Sequence, residues 1–424
     1  MNIEQNAALR KALPILEQLQ GNGFEAVFVG GCVRDTLLGR PIHDVDIATS
    51  AKPQEVMAVF PHFIPTGLQH GTVTIRLRNE YYEVTTYRTE SEYEAHRRPS
   101  DVQFVSDLAE DLRRRDFTIN AMALRMDGRV VDPFGGRSDL QRRVLRSVGD
   151  AGARFQEDAL RMVRAVRFAA NLSLRIEKRT WRAMIKHRSL LCYVAMERVG
   201  AEADKMMEGI APQRALLLML ASGMLSNTKL PLLNEERLDE LAGQRRVRVQ
   251  WHKLAGLAQR WGALCLAYEL TGAEAEQLAG ALCFSNKRKQ ELRSAAAIGR
   301  RMSDAPLIRS NKDQLRHLWL STILEHNKRV ASDWLELTRS IPALQIGDEL
   351  YEQLQVWLQA MPVSSIKELD VNGTELARNL HMPEGPWLGK LLAWLLQETA
   401  FGHIENNSAA LLTAARKKIS QEQA

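Results

Sequence analysis

Apolar residues in the first hundred positions recur with two periods, which predict helices and strands in alternation. Residues 5–20 carry a helical pattern, and the Gly21-Asn22-Gly23 turn follows it. The next predicted elements are a strand, a short helix stopped by Gly39 and Pro41, a strand, a helix and two strands, namely FEAVFVGG, VRDTLLG, DVDIAT, KPQEVMAVF, GTVTIRLR and YYEVTTYR. The chain is therefore expected to begin as a compact α/β region with mixed strands.

Helices dominate the predicted structure from about Asp107 onward. A hairpin-like segment, MALRMDGRVVDPFGG, interrupts them and has Asp127-Gly128 as its turn. From about Gly149 to the end, leucine and alanine recur at three-to-four spacing without a convincing strand pattern. The predicted fold class is α+β, with a small mixed α/β head followed by an all-helical remainder.

The composition is that of an ordinary globular chain with more than one domain. At 424 residues, of which 45% are hydrophobic, two to four domains are expected. No leader pattern at residues 1–19 and no run of eighteen apolar residues is present, so a cytoplasmic location is expected and a membrane is not. The four cysteines lack CxxC spacing, which argues against a zinc site or a disulfide framework.

The net charge of +6 is unevenly distributed along the chain. Residues 137–188 hold fourteen Lys and Arg against five Asp and Glu, a local charge of +9 that leaves about −3 for all other residues. A phosphate backbone attracts such a basic stripe. A solvated helix face whose arginines pair with acids elsewhere explains the same pattern equally well.

Two aspartates in RPIHDVDIAT, Asp44 and Asp46, stand one residue apart. On a strand both would point to one face, while Val45 and Ile47 face the core. Their repulsion is relieved by a shared proton, by water or by a divalent cation, and carboxylate oxygens suit magnesium or manganese. Glu83, on a later predicted strand, is either a third carboxylate of this site or an exposed strand residue.

The stretch VGGCVRD places Gly30 and Gly31 between a strand and a helix, where backbone N–H groups can approach an anion. Arg34 could add a charge-assisted contact. Adjacent glycines do not match the dinucleotide pattern G-x-G-x-x-G, and a tight turn without a ligand is the alternative. Together with the nearby aspartate pair, a phosphate cradle indicates metal-assisted nucleotidyl transfer.

Two arginine-rich stretches follow. In EDLRRRDFTINAMA, Asp116 could accept a ribose hydroxyl while Arg114 and Arg115 hold phosphate, and a helix N-cap with surface arginines is the alternative. In FQEDALRMVRAVRFAA, Asp158 and Arg161 would be helical neighbours that present an acceptor beside a donor. Cytosine and adenine match this pair, whereas guanine and uracil place a carbonyl against the carboxylate. A simple intrahelical ion pair is the alternative.

Several motifs together resemble the class II tRNA nucleotidyltransferase and bacterial poly(A) polymerase family. They are FVGGCVRDTLLGRPIHDVDIATSA, HGTVTI, YYEVTTYRTESEYEAHRRP, LRRRDFTINAMA, DPFGGRSDL and RFQEDALRMVRAVRF. The resemblance is dense over residues 24–170. Farther on, VNGTELARNLHMPEGPWLGKLLAWLLQETAFGHIEN looks like the tail of the bacillus-type CCA-adding enzymes, which favours CCA addition over polyadenylation.

The resemblance implies a polymerase-beta-like nucleotidyltransferase head at residues 1–148, a base-recognising helical neck at 149–209, a helical body at 210–330 and a tRNA-binding helical tail at 331–424. It implies template-independent addition of C, C and A to the 3′ end of tRNA from CTP and ATP, with Mg²⁺ as cofactor and pyrophosphate as leaving group. Poly(A) polymerase, an A-only or CC-only transferase and a non-catalytic RNA-binding relative are the alternatives. No obligate protein partner is expected.

The family motifs assign roles to single residues. Metal binding falls on Asp44 and Asp46, beside the candidate Glu83 from the strand pattern. Nucleotide binding falls on the phosphate turn, the ribose motif and the base-reading motif, with two further arginines nearby: Gly30, Gly31, Arg34, Arg114, Arg115, Asp116, Glu157, Asp158, Arg161, Arg164 and Arg167.

Two further stretches refine the resemblance. The segment RTESEYEAHRRPSDV resembles the mobile loop that family members need to progress from CC to CCA, so a CC-only variant is less expected. The segment ERVGAEADKMM keeps Glu197, Arg198 and Glu202 of another family motif but inserts Gly200, a residue that weakens helices.

Overall fold

The computed structural model describes residues 3, 6–90, 93–94, 98–99, 102–243, 248–303, 311–344 and 346–423. The chain divides into two compact units, Met1–Ala242 and Gly243–Ala424, and each is described by itself. Within the described ranges, every helix is too short or too polar to cross a membrane.

The first unit contains a mixed sheet. Its strands, in chain order, are β1 (Ala26–Val29), β2 (Asp46–Thr49), β3 (Phe63–Gly67), β4 (Thr72–Leu77), β5 (Glu80–Thr86), β6 (Arg88–Glu90), β7 (Tyr93–Glu94), β8 (Arg98–Pro99), β9 (Val102–Phe104), β10 (Ala123–Leu124), β11 (Val130–Val131), β12 (Val144–Leu145) and β13 (Arg175–Ile176). Seven of them form one sheet in the order β11-β10-β1-β2-β5-β4-β3. Its neighbouring strands are antiparallel except β2 and β5, which are parallel.

Helices surround and follow this sheet. They are α1 (Ala7–Gly21), α2 (Gly31–Leu37), α3 (Pro53–Val59), α4 (Leu108–Arg113), α5 (Gly136–Gln141), α6 (Ala151–Glu157), α7 (Leu160–Asn171), α8 (Lys178–His187), α9 (Met196–Glu208), α10 (Pro212–Ser222) and α11 (Glu235–Gly243). Side chains that accept N–H groups of the first turn fix where several of them begin, as Asn6 does for α1 and Asp150 for α6.

A hydrophobic core positions the predicted site. Val27 and Val29 of β1 pack with Ala48 of β2 and with Leu108 and Leu112 of α4. Burying one such valine or leucine contributes about 2 kcal/mol to folding. Because Val29 is the antiparallel partner of Asp46, the core directly adjoins both the glycine turn and the first residue of β2.

The strand that carries the aspartate pair is shorter than predicted. It begins at Asp46, so the expectation that Asp44 also lies on the strand is wrong. The physical reason is that β1 leaves the sheet at Gly30, whose φ of +70° ends the strand. Residues before Asp46 therefore lack an antiparallel partner on that side. Several short strands were also not predicted, among them the edge strand β3 and the two-residue β13 beyond Gly149.

The second unit is helical in its described residues. Its helices are α12 (Leu257–Ala267), α13 (Gly272–Ala281), α14 (Asn286–Ser303), α15 (Lys312–His326), α16 (Lys328–Ser340), α17 (Asp348–Ala360), α18 (Gly373–Leu380), α19 (Pro386–Ala400) and α20 (Ser408–Gln423). Capping boxes start two of them, with Thr271 paired to Glu274 and Asn372 paired to Glu375. The predicted fold class is confirmed, whereas the boundaries at 148/149, 209/210 and 330/331 stay predictions.

Candidate active site

The predicted phosphate turn joins β1 to α2. Gly30 occupies the N-cap of α2 with a φ of +70°, a conformation that favours glycine. A Cβ at this position would lie 3.2 Å from Arg115 Nη1 and 3.4 Å from Asp46 Oδ2. Glycine therefore lets the backbone approach a guanidinium and a carboxylate at once. Arg34 of α2 is fixed nearby, since its Nη1 donates to Asn120 Oδ1 at 2.7 Å.

Three carboxylates lie near one end of the sheet. Asp46 and Glu83 are register partners on the parallel strands β2 and β5, so their side chains leave the same face. Asp44 precedes β2 and is exposed. Burial raises the pKa of Asp46, the charge of Arg115 opposes this effect, and the charges of Glu83 and Asp44 raise the pKa further. Asp46 therefore lies close enough to Glu83 and Asp44 for their negative charges to raise its pKa.

These oxygen donors suit a hard divalent cation. Magnesium is commonly bound by one or two carboxylates together with substrate phosphates, rather than by a cage made of protein alone. Among the described residues, no three His, Cys, Asp or Glu side chains converge into such a cage. A pair of aspartates suits magnesium without such a cage, because the remaining coordination positions stay open for phosphate oxygens.

Asp111 is a candidate that the sequence pattern did not single out. It lies on α4, is 1% exposed, and accepts from Arg114 Nη2 at 2.8 Å and Arg115 Nη2 at 3.0 Å. Burial alone would raise the pKa of Asp111, but Arg115 and Arg114 outweigh it and hold that pKa below its usual range. The ionised carboxylate therefore fixes both guanidinium groups. The only sequence signal was an acid three and four positions before two arginines.

Asp116 is a buried acceptor and does not cap a helix, so that alternative is wrong. The N-cap of α4 is Asp107, whereas Asp116 is 8% exposed and pairs with Arg164 at 2.7 Å. It also accepts from Asn120 Nδ2 at 3.0 Å. Burial alone would raise the pKa of Asp116, but Arg164, the Asn120 amide and Arg161 lower it to about 2. The carboxylate is therefore ionised at neutral pH.

Asp158 and Arg161 do not form the helical pair that their spacing predicted. Asp158 lies between α6 and α7 with an extended backbone, and its carboxylate accepts the N–H of Leu160, the first residue of α7, at 3.1 Å. Its Oδ2 lies 2.8 Å from Arg198 Nη2. Arg161 Nη1 donates instead to Glu157 Oε2 at 2.6 Å. The intrahelical alternative is therefore wrong, and each residue has its own partner.

The motif interrupted by Gly200 still forms a continuous helix. Helix α9 runs through Gly200, which is buried, and packs against α7. The cost of a helical glycine, about 1 kcal/mol, is offset by this packing. Glu202 of the same helix is 4% exposed and pairs with Arg167. The glycine therefore does not disrupt the contact between this motif and the base-reading helix.

Most of the predicted nucleotide-binding residues line one cavity of about 540 Å³. They are Gly30, Gly31, Arg34, Arg114, Arg115, Asp116, Asp158, Arg161, Arg164 and Arg167, and the predicted metal ligand Asp46 lines the cavity with them. The sequence motifs had not assigned to the nucleotide site the lining residues Arg88, Asn120, Leu160, Phe168 and Arg198. Glu157 is not among the lining residues, but it accepts a hydrogen bond from Arg161, which lines the cavity. A neighbouring cavity of about 680 Å³ is lined by Asp44 and Glu83, and Asp46 lines both cavities.

The charge of the first cavity selects polyanions. Eight arginines line it against three aspartates, so positive side chains predominate at its surface. Guanidinium groups bind phosphate oxygens with charge-assisted, often bidentate hydrogen bonds. The second cavity holds the carboxylates and no arginine among its lining residues. This arrangement places a cavity rich in arginine on one side of Asp46 and a group of carboxylates on the other.

The stretch RTESEYEAHRRPSDV, residues 88–102, is described only in part. Strand β6 pairs with β9 through Arg88 and Phe104, Thr89 and Gln103, and Glu90 and Val102. Residues 91–92, 95–97 and 100–101 lie outside the described residues. The prediction that this segment is the family's mobile loop falls largely on them and stays a prediction.

Family models match three segments of the chain. The Poly A polymerase head domain matches residues 26–146, which contain the turn, the aspartates and the arginine motif. The RNA and SrmB-binding site of polymerase A matches residues 173–235. The tRNA nucleotidyltransferase domain 2 matches residues 253–415 in the helical second unit.

Curated relatives and solved structures match almost the whole chain. The CCA-adding enzyme of Geobacillus stearothermophilus is 40% identical over 94% of both chains, and that of Bacillus cereus is 36% identical over 95% of this chain and 96% of the relative. The crystal structure of the Bacillus stearothermophilus CCA-adding enzyme in complex with CTP is 33% identical, with a TM-score of 0.81 over 98% of this chain and 99% of that one. With identity at this level along its full fold, the chain belongs to the CCA-adding enzyme family of tRNA nucleotidyltransferases.

Proposed function

We propose that the protein adds C, C and A to the 3′ end of tRNA from CTP and ATP, without a nucleic-acid template and with release of pyrophosphate. The observation that carries this proposal is the cavity that Asp46, Asp158, Arg161 and seven further arginines line together. The relatives named above are CCA-adding enzymes, and the solved relative was crystallised with CTP. A cytoplasmic location is proposed with this function, because its substrates are found there.

The arginines of the cavity bind and orient the triphosphate. Arg34 follows the glycine turn, while Arg114 and Arg115 enter from the end of α4, held by the buried Asp111. Guanidinium groups that are fixed before the substrate arrives lose little side-chain entropy on binding. Asp116 stays ionised beside them and accepts a hydrogen bond from the ribose of the incoming nucleotide.

Asp158 and Arg161 select the base by their hydrogen-bonding chemistry. Asp158 offers only acceptors and Arg161 only donors. Cytosine and adenine present an amino donor beside a ring-nitrogen acceptor, whereas uracil and guanine present a carbonyl where the carboxylate would accept. In the structure, Arg198 and Glu157 hold these two side chains in place. The two protein partners therefore set the spacing of the base-reading edge.

Asp44 and Asp46 would hold the catalytic Mg²⁺ ions, with Glu83 as a third carboxylate on the same face as Asp46. When bound, such ions neutralise charge on the triphosphate and activate the 3′-hydroxyl of the RNA. The protein itself positions the carboxylate oxygens beside the triphosphate cavity. The register of β2 and β5 sets the relative positions of Asp46 and Glu83.

A basic surface is proposed to hold the tRNA by its phosphates. Helix α8 buries Thr180 and Met184 and exposes Lys178, Arg182 and Lys186, which lie on one face at a spacing of four. Binding through phosphates accepts every tRNA regardless of sequence. The head, neck, body and tail at residues 1–148, 149–209, 210–330 and 331–424 are proposed as the domains that share this work.

The experiment uses the full-length protein with Mg²⁺ and three tRNA transcripts, which end at the discriminator base, at C and at CC. Each transcript is supplied with CTP, ATP or both, and products are resolved to single nucleotides. We expect all three to stop at CCA when both nucleotides are present. A long A tail would indicate a poly(A) polymerase, activity confined to one step would indicate an A-only or CC-only enzyme, and no incorporation would contradict nucleotidyl transfer altogether.

A further inference from the structure

The ring of Phe168 is a contact shared by three arginines of the triphosphate cavity. The guanidinium carbons of Arg34, Arg164 and Arg167 lie 5.2, 5.4 and 4.1 Å from its centroid. Phe168 is 5% exposed and lines the same cavity. A guanidinium within about 6 Å of a ring centroid is attracted by the electron-rich face of the ring. One neutral side chain therefore stabilises three neighbouring positive charges.

These arginines come from two elements that are distant in the chain. Arg34 lies on α2, directly after the glycine turn, and the other two lie on α7. Phe168 follows Arg164 by four positions, so both side chains occupy one face of α7. The ring thereby links the phosphate turn to the base-reading helix.

The position of the ring is itself fixed. Phe117, which directly follows Asp116, meets the ring of Phe168 edge-on, with centroids 5.9 Å apart and planes at 78°. Edge-to-face contacts of this kind are favourable beyond the area they bury. Three segments of the site, containing Arg34, Asp116 and Arg164, therefore converge on one aromatic pair.

Acidic partners alone do not explain the arrangement. Each arginine has a carboxylate partner, and these pairs are Arg34–Asp35, Arg164–Asp116 and Arg167–Glu202, with Arg164 also 3.9 Å from Glu202. A further carboxylate in place of the ring would neutralise the field that attracts the triphosphate. An aliphatic side chain would fill the space but would not add the attraction of an aromatic face to that of the carboxylates.

We propose that Phe168 is a positioning residue that orients Arg34, Arg164 and Arg167 toward the triphosphate of CTP and ATP. The inference rests on the function proposed above and adds a residue to it. Because the ring acts on arginines rather than on the base, its loss affects both nucleotides by the same factor.

The test measures equilibrium binding of CTP, ATP and inorganic tripolyphosphate to the full-length protein by calorimetric titration. Phe168→Leu and Phe168→Met remove the aromatic face and keep an apolar side chain, and Phe168→Tyr keeps the aromatic face. Phe60→Leu is the matched control, since Phe60 is 4% exposed and does not line the cavity. Melting temperatures are recorded for every variant, because a purely structural role would change these alone.

We expect Phe168→Leu and Phe168→Met to weaken binding of all three ligands about tenfold. Phe168→Tyr should bind like the wild type, and Phe60→Leu should lower the melting temperature without changing affinity. Unchanged affinity in both aliphatic variants, equal weakening by Phe60→Leu, or a stable Phe168→Tyr that binds as weakly as Phe168→Leu would overturn the proposal. A wild-type protein that binds tripolyphosphate but neither nucleotide would instead contradict the proposed function.

Discussion

Asp46 and Glu83 stand side by side on two parallel strands, although a helix and two strands separate them in the chain. Because of this register, the carboxylates of Asp46 and Glu83 lie on the same face of the sheet. Asp46 also adjoins the glycine turn, since a Cβ at Gly30 would lie 3.4 Å from its Oδ2. The carboxylates and the proposed triphosphate cavity therefore adjoin the same central strand of the sheet, β2.

The first prediction concerns Glu83. Glu83→Gln removes one negative charge at constant size, and we expect turnover to fall about 10- to 100-fold with a higher Mg²⁺ requirement. Glu25→Gln is the control, because Glu25 pairs with Arg125 and lines neither cavity. Initial rates against Mg²⁺ concentration provide the measurement. If both variants follow the wild-type curve, Glu83 is only an exposed strand residue.

The second prediction concerns Asp111. Asp111→Asn removes the buried charge that fixes Arg114 and Arg115, so we expect a destabilisation of about 3 kcal/mol together with a raised KM for CTP. Asp139→Asn is the control, since Asp139 is also buried and pairs with Arg146, outside the cavity. Chemical denaturation and steady-state kinetics separate the two effects. A raised KM in Asp139→Asn as well would mean that lost stability, rather than lost orientation, weakens nucleotide binding.

The third prediction is a pH dependence of stability. Because the pKa of Asp116 is lowered to about 2 in the folded state, its ionised form stabilises the fold above its unfolded pKa. That contribution, about 2 kcal/mol, is lost as the pH falls from about 4 toward 2. Asp116→Asn should therefore be less stable than the wild type at pH 7, and the difference should shrink in acid. Urea titrations at several pH values measure it, and a constant difference would refute the assignment.

The fourth prediction concerns base choice. In Asp158→Asn the side chain gains an amide donor, which can face the carbonyl of uracil. We expect the preference for CTP over UTP to fall about tenfold, within the 1–3 kcal/mol that one specific base contact typically provides. Competition between the two nucleotides on a transcript ending at the discriminator base gives the ratio. An unchanged ratio would exclude Asp158 from base recognition.

The fifth prediction concerns the basic surface of α8. Replacing Lys178, Arg182 and Lys186 by alanine should weaken tRNA binding and reduce its dependence on salt, because fewer counterions are released. Affinities for two tRNAs of different acceptor sequence, measured between low and moderate salt, should change alike. A flat affinity across this salt range in the wild-type protein would show that phosphates do not dominate the contact.

The candidate site residues could be identified from the sequence, whereas the residues with which they pair could not. The glycine turn, the strand at Asp46 and the arginine motifs follow from residue type and spacing, which act over a few positions. The pairing of β2 with β5 depends on the whole sheet, so the position of Glu83 stayed open until the structure was known. In the same way, Asp158 finds its partner in Arg198, forty positions away along the chain.

Burial was the other property that the sequence did not reveal. Asp111 looks like a surface helix residue in its pattern, yet it is 1% exposed because two arginines compensate its charge. The Asp158–Arg161 spacing was recognised, but the predicted helical geometry was wrong because Asp158 has an extended backbone between α6 and α7. In neither case does the spacing of the residues alone show the burial of the side chain or the conformation of the backbone.

The most direct test supplies the full-length protein with a transcript ending at the discriminator base and all four nucleoside triphosphates at equal concentration, and then sequences the 3′ ends. The proposed function predicts that nearly every extended molecule ends in CCA, without U or G and without further A. Incorporation of U or G at wild-type Asp158 and Arg161, or growth beyond the terminal A, would contradict it.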